Sequence, residues 1–166
     1  MTRGERRDIL LDSGAVSALA SDDKMFVGYQ RLFDRQLLGG LFIPSPVMSE
    51  VRTGQAKYDA LLDRMVNRIR RPDIEVYIPG TIETDNRAGE LRYIAQKALD
   101  QAREALGDTK PRKSDTKISG VDALLVAIAE RLSRRCPVTI LTTDLEHIKA
   151  LVDATGAKNI DVDTPS

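Results

Sequence analysis

Two short apolar runs, Ile9-Leu10-Leu11 and Val138-Thr139-Ile140-Leu141, lie near opposite ends of the chain. An aspartate follows each, Asp12 directly and Asp144 after Thr142-Thr143. Unbroken apolar strands of this length suit a parallel sheet covered on both faces, where no solvent side demands alternation. Leu41-Phe42-Ile43 and Ile74 to Ile78 read as further strands, and a last one falls near Asn159 to Val162. Strands that alternate with helices predict an α/β fold on a central, mainly parallel sheet of about five strands, flanked by helices. No repeat, low-complexity tract or linker divides residues 1–166, which read as a single domain.

The helices are read from apolar spacing and stop signals. A first stretch runs from Gly14 to Leu19, and a second from Asp22-Asp23 to Leu38, ended by Gly39-Gly40. Pro44-Ser45-Pro46 opens a third, which carries Glu50 in its first turns and is closed by Thr53-Gly54. From Ala56 to Arg70, Leu61, Leu62, Met65, Val66 and Ile69 share an inner face, while Arg64, Arg68 and Arg71 lie opposite. A long amphipathic helix spans Thr84 to Leu106 and stops at Gly107. Val121 to Leu132 and Leu145 to Ala154 follow with helical apolar spacing. Gly107 to Lys117 has no apolar anchor, which predicts an exposed, mobile loop.

Composition narrows the function. At 166 residues the chain buries about two thirds of its unfolded surface and needs no disulfides. Its one cysteine, Cys136, sits before Pro137 at the start of an apolar strand, the setting of an inert thiol in a reducing cytoplasm. No apolar stretch approaches the roughly 20 residues of a membrane span, and the N-terminus lacks a signal-peptide core, so a soluble cytoplasmic protein is expected. The 25 basic and 25 acidic residues balance, so a polyanion must be bound by local patches. Candidates are Arg3, Arg6 and Arg7; Arg64, Arg68, Arg70 and Arg71; and Lys110, Arg112, Lys113 and Lys117. Each also reads as an ordinary solvated surface.

Open α/β sheets bind ligands at the carboxyl ends of their strands, where Asp12 and Asp144 would meet. Asp122 opens the helix from Val121, and Glu50 follows the strand 41–43, so four acids gather at one sheet edge. Each has a plain structural explanation as well. Asp12 or Ser13 caps a helix, Ser119 to Asp122 matches a capping box, Asp144 caps the last helix, and Glu50 is an ordinary exposed helix residue. Together, though, four carboxylates repel one another unless a cation sits among them. Such an oxygen-lined site suits Mg²⁺ or Mn²⁺, while zinc is disfavoured by the lack of Cys/His spacing. Ser13 and Thr142 flank the acids with hydroxyls that hold a water or a carboxylate, or that only satisfy turn backbone. His147, one turn past Asp144, is given no catalytic role. A metal in this setting activates water and neutralises a phosphoryl group, which points to phosphodiester hydrolysis. No phosphate loop or dinucleotide fingerprint is present, and an aspartyl-nucleophile phosphatase would want a second acid where Gly14 stands.

The ordered segments Ile9-Leu-Leu-Asp12-Ser13, Pro44-Ser-Pro-Val-Met-Ser-Glu50-Val-Arg, Val121-Asp122-Ala-Leu-Leu-Val-Ala-Ile-Ala129 and Ile140-Leu-Thr142-Thr-Asp144 resemble the PIN domain. The likeness is nearest to VapC-like ribonuclease toxins of type II toxin-antitoxin pairs and covers nearly the whole chain. It implies a PIN-like three-layer sandwich and a Mg²⁺- or Mn²⁺-dependent endoribonuclease. Asp12, Glu50, Asp122 and Asp144 would bind metal, and Ser13 and Thr142 would assist. It also implies an RNA substrate, a small cognate antitoxin inserting a basic side chain into the acidic site, and a homodimer. The chain is longer than a typical toxin of this class between Thr84 and Lys117. A housekeeping PIN nuclease acting on RNA or DNA, and a non-catalytic PIN-fold binding module, are the alternatives.

Overall fold

The Ile9-Leu10-Leu11 run forms β1 (Arg7–Leu11), the central strand of a five-stranded sheet. The computed structural model describes residues 6–34, 38–69, 76–108 and 117–166. After β1 come α1 (Ser13–Ser21), α2 (Asp23–Asp34), β2 (Leu38–Pro44), α3 (Ser45–Val51) and α4 (Ala56–Ile69). They are followed by β3 (Tyr77–Ile78), α5 (Ile82–Ala105), α6 (Gly120–Ser133), β4 (Val138–Leu141), α7 (Leu145–Thr155) and β5 (Ile160–Asp163). The strands lie in the order β3-β2-β1-β4-β5, and every neighbouring pair is parallel. The chain thus forms the expected α/β fold, with its five strands parallel throughout.

Parallel crossovers are right-handed, so the direction in which the chain steps across the sheet decides which face each helix covers. From β1 to β3 it steps one way and lays α1 to α4 on one face. From β3 it returns past β1 to β4 and β5, laying α5 to α7 on the other. Packing follows this division: α1 touches α2, α3 and α4, while α5, α6 and α7 pack on one another. The result is a three-layer sandwich whose stepping direction reverses between β1 and β4. That switch point leaves a crevice at the carboxyl ends of those two strands.

Burial on both faces accounts for the unbroken apolar strands. Leu10, Leu11, Val138 and Ile140 are fully buried, and α6 buries Ala123, Leu125, Val126, Ala127, Ile128 and Ala129 beside them. Each large side chain hidden this way contributes about 1.5–3 kcal/mol. No helix among the described residues is long and apolar enough to cross a membrane. The Cys136 thiol donates to Asp8 Oδ2 at 2.9 Å. Burial, reinforced by the Asp8 carboxylate, pushes it up to about 11, which fits an unreactive thiol.

Helix ends differ from expectation by one or two residues at α1 and α5, and by more at the end of α2. Leu38 to Gly40 belong to β2 rather than to the end of α2 or a helix stop. Gly39 and Gly40 serve close approach: Asp8 Oδ1 accepts the Gly40 N–H at 2.8 Å, and a side chain on Gly39 would collide with that carboxylate. The β1–β2 register shifts between Arg7 and Ile9, so these are glycines of a strand irregularity. β3 is formed at Tyr77–Ile78, and the expected start of that strand at Ile74 lies outside the described residues. Arg3, Arg70, Arg71, Lys110, Arg112 and Lys113 also lie outside them. Of the other arginines proposed as patches, Arg7 pairs with Asp161, Arg64 lies 3.3 Å from Asp23, and Arg68 stacks over Phe26 at 5.7 Å. These are contacts between elements of the fold.

Candidate metal centre

Three of the four acids stand at helix starts, for a local reason in each case. Asp12 ends β1 and caps α1, its Oδ1 accepting the Ala15 N–H at 2.6 Å. Asp144 follows β4 and caps α7, accepting the His147 N–H at 3.2 Å. Asp122 lies in the first turn of α6, where Ser119 is the cap and takes the Asp122 N–H at 3.0 Å. The capping expected of Asp12 and Asp144 is thus present, while at α6 the structure shows the Ser119 half of the expected capping box. Short polar side chains satisfy free N–H groups at all three starts. The same placement puts three carboxylates at the positive ends of three helices, which offsets part of their mutual repulsion. Glu50 sits in the last turn of the two-turn α3 and not in a first turn.

Loop contacts then draw the acids together. Thr142, fully buried, donates its hydroxyl to Asp12 Oδ2, and its Oγ1 accepts the Asp144 N–H at 2.8 Å. One side chain thus joins the loop after β1 to the loop after β4. Gly14 allows the approach, because a Cβ there would run into the Thr143 side chain. On the other flank Ser13 Oγ donates to Glu50 Oε2 at 3.0 Å. Both hydroxyl residues singled out in the sequence orient a carboxylate.

Asp122 lies within electrostatic reach of the other three acids. Burial raises the Asp122 carboxyl above its ordinary value of 3.8, and the charges of Asp12, Asp144 and Glu50 raise it further, against a Ser119 side-chain bond that lowers it. Burial also raises Asp12, with the Asp144 charge adding to it, while bonds from Thr142 and from the Ala15 and Thr143 backbone oppose. Among the described residues no Lys or Arg pairs with any of the four. Asp144 instead meets His147, Oδ2 to Nδ1 at 2.9 Å.

His147 is the residue that sequence reasoning set aside. It is buried, 8% exposed, and ligand atoms of Asp122, Asp144 and His147 lie within 4.8 Å of one another. Donors on opposite sides of an ion with bonds of about 2.1 Å stand about 4.2 Å apart, so this group can close on a single metal ion with small side-chain adjustments. The signal was legible in principle, because a residue three past a helix cap returns over that cap. The donors are carboxylate oxygens and one imidazole, a set that suits a hard or borderline divalent ion.

No family model matches the sequence, and no curated relative does. A solved structure does resemble it: that of FitAB bound to an IR36 DNA fragment. The likeness covers 95% of this chain and 94% of that one, with a TM-score of 0.55 and 18% sequence identity. At that identity the likeness speaks for the fold, which is PIN-like: a five-stranded parallel sheet between two helical layers, with an acidic crevice at its switch point.

Proposed function

We propose that this chain is a divalent-metal-dependent endoribonuclease, the toxin of a toxin-antitoxin pair, using Asp12, Glu50, Asp122 and Asp144 to hold Mg²⁺ or Mn²⁺. The observation that carries this reading is geometric: ligand atoms of Asp122, Asp144 and His147 lie within 4.8 Å of one another, Thr142 joins Asp12 to the Asp144 loop, and no Lys or Arg is paired to any of the four acids among the described residues. Carboxylates arranged so are costly without a cation and favourable around one. The bound metal would activate a water and offset charge on the phosphoryl group.

The chain's own residues supply the positioning. Thr142 fixes Asp12 and, through the Asp144 N–H, the loop that carries Asp144. Ser13 fixes the exposed Glu50, and His147 fixes Asp144. Asp12 accepts bonds from Thr142 and from the Ala15 and Thr143 backbone, which hold its carboxylate in place beside the proposed ion. A fold like that of FitAB, which is bound to DNA in its structure, lends the antitoxin partner general support. RNA as substrate, homodimerisation, a cytoplasmic location and a single PIN-like unit over residues 1–166 belong to the same reading.

The test is cleavage of single-stranded RNA by the purified chain after metal stripping and re-addition of Mg²⁺ or Mn²⁺, alongside growth on expression. Asp12→Asn and Asp122→Asn should each lower cleavage by about 100-fold or more and relieve growth arrest, with the far-UV spectrum unchanged. Full cleavage and toxicity in both variants reject the proposal.

A further inference from the structure

Beside the acids lies a groove that the metal chemistry does not use. It has a volume of about 500 Å³ and is lined by Ser13, Ser17, Glu50, Thr53, Gln55 and Tyr58 among others. That is within the roughly 300–1,000 Å³ usual for small-molecule sites. It shares Ser13 and Glu50 with the acidic crevice, and the 3.0 Å bond between them forms the common wall. Whatever fills the groove therefore touches the group at the metal centre.

The lining tells which part of a nucleic acid would fit. It contains no Lys or Arg, and its charged member is Glu50, so a phosphate is disfavoured there. What the groove offers is neutral hydrogen bonding and one aromatic ring. The Tyr58 hydroxyl donates to Ser17 Oγ at 2.9 Å, which fixes the half-buried ring against α1. The loop beside it is built in advance. Asp59 accepts the Thr53 and Gly54 N–H groups, each at 3.1 Å, Thr53 Oγ1 accepts the Gln55 N–H at 3.1 Å, and Gly54 supplies the left-handed turn at φ 75°. The exposed Gln55 side-chain amide has no partner among the described residues, so a donor and an acceptor are available at the rim.

We propose that this groove receives the nucleoside next to the scissile phosphate of single-stranded RNA, with Tyr58 stacking on the base and Gln55 reading its edge. This rests on the nuclease reading. Single-stranded RNA is recognised in this way, by unstacked bases laid on aromatic rings and hydrogen-bonded along their edges. Tyr58 and Gln55 are then specificity-determining residues, separate from the metal ligands.

The experiment has two arms. In the first, a random-sequence RNA pool is cut by wild type, Tyr58→Ala and Gln55→Ala with Mn²⁺, and the ends are mapped. Both variants should lose base preference at one position beside the cut, and Tyr58→Ala should raise KM by roughly five- to hundredfold with kcat and Mn²⁺ affinity unchanged. Tyr58→Phe, which keeps the ring, should retain most of the wild-type KM. In the second arm, fluorescent single-stranded RNA is titrated into Asp12→Asn with and without Tyr58→Ala. Cleavage with unaltered base preference, or RNA binding indifferent to Tyr58, overturns the groove and leaves the nuclease reading standing. Tyr58-dependent binding with no cleavage by wild type overturns the nuclease reading and with it the place of the base beside a cut, while the stacking of a base on Tyr58 stands. If Tyr58→Ala instead releases a co-purified protein and spares RNA, the groove belongs to a protein partner and the proposal is wrong.

Discussion

His147 holds both oxygens of Asp144: its backbone N–H reaches Oδ1 at 3.2 Å and its ring Nδ1 lies 2.9 Å from Oδ2. A carboxylate pinned at both ends has its remaining lone pairs aimed before any ion arrives, so His147 orients Asp144 in addition to standing among the candidate donors. His147→Ala keeps the backbone bond and loses the ring. Mn²⁺ affinity measured by calorimetry should fall by about 10- to 100-fold. An affinity unchanged in His147→Ala would reduce the residue to a packing role.

The raised carboxyls of Asp12 and Asp122 give a pH dependence of definite sign. Both are raised chiefly by burial, so the folded chain holds these protons more tightly than the unfolded one does. As pH rises from the ordinary value of 3.8 through the raised folded values, these two groups subtract stability from the metal-free protein. A bound cation favours the ionised form and reverses the trend. The gain in Tm on adding Mn²⁺ should therefore grow from near zero at about pH 4 to a plateau by about pH 8. A gain that does not vary with pH would place the ion elsewhere.

Removing one repelling acid should stabilise the metal-free chain while damaging the site. Asp122→Asn relieves a half-buried charge that faces Asp12, Asp144 and Glu50. At neutral pH its metal-free Tm should rise by roughly 2–4 °C, the response of a chain of this size to about 1 kcal/mol. The further rise that Mn²⁺ gives wild type should be lost. A variant less stable than wild type without metal would mean that the acids do not strain one another.

Much of this arrangement was legible because strand and helix signals were strong at the points that matter. Ile9-Leu10-Leu11 and Val138 to Leu141 are apolar at all positions but Thr139, so a central parallel pair was the economical reading, and Asp12 and Asp144 followed from where those runs end. What escaped was set by contacts between distant segments. Gly39 and Gly40 look like helix stops in isolation, whereas pairing of β2 with β1 makes them strand residues and the Asp8 carboxylate beside them explains why they are glycines. His147 looks like a stray histidine until the cap at Asp144 folds it back. The Tyr58 groove needs α1, the end of α3 and the start of α4 together, and no local pattern announces it.

Gly14 tests how tightly the two loops must meet. It stands where the loop after β1 faces the loop after β4, and an added Cβ would strike the Thr143 hydroxyl. Thr143 lies between Thr142, whose hydroxyl joins Asp12 to the Asp144 backbone, and Asp144 itself, so the Thr143 side chain must rotate and its Cβ must give way beside that bridge. Overpacking of this kind costs about 1–3 kcal/mol. Gly14→Ala should lower the denaturant midpoint accordingly and weaken Mn²⁺ binding. Gly28→Ala is the control: nothing lies within 4 Å of a Cβ built there, and it sits in the middle of α2, so metal affinity should be untouched and stability should hold or rise. Equal metal affinity in both variants would show that the approach of the two loops does not set the geometry of the acids.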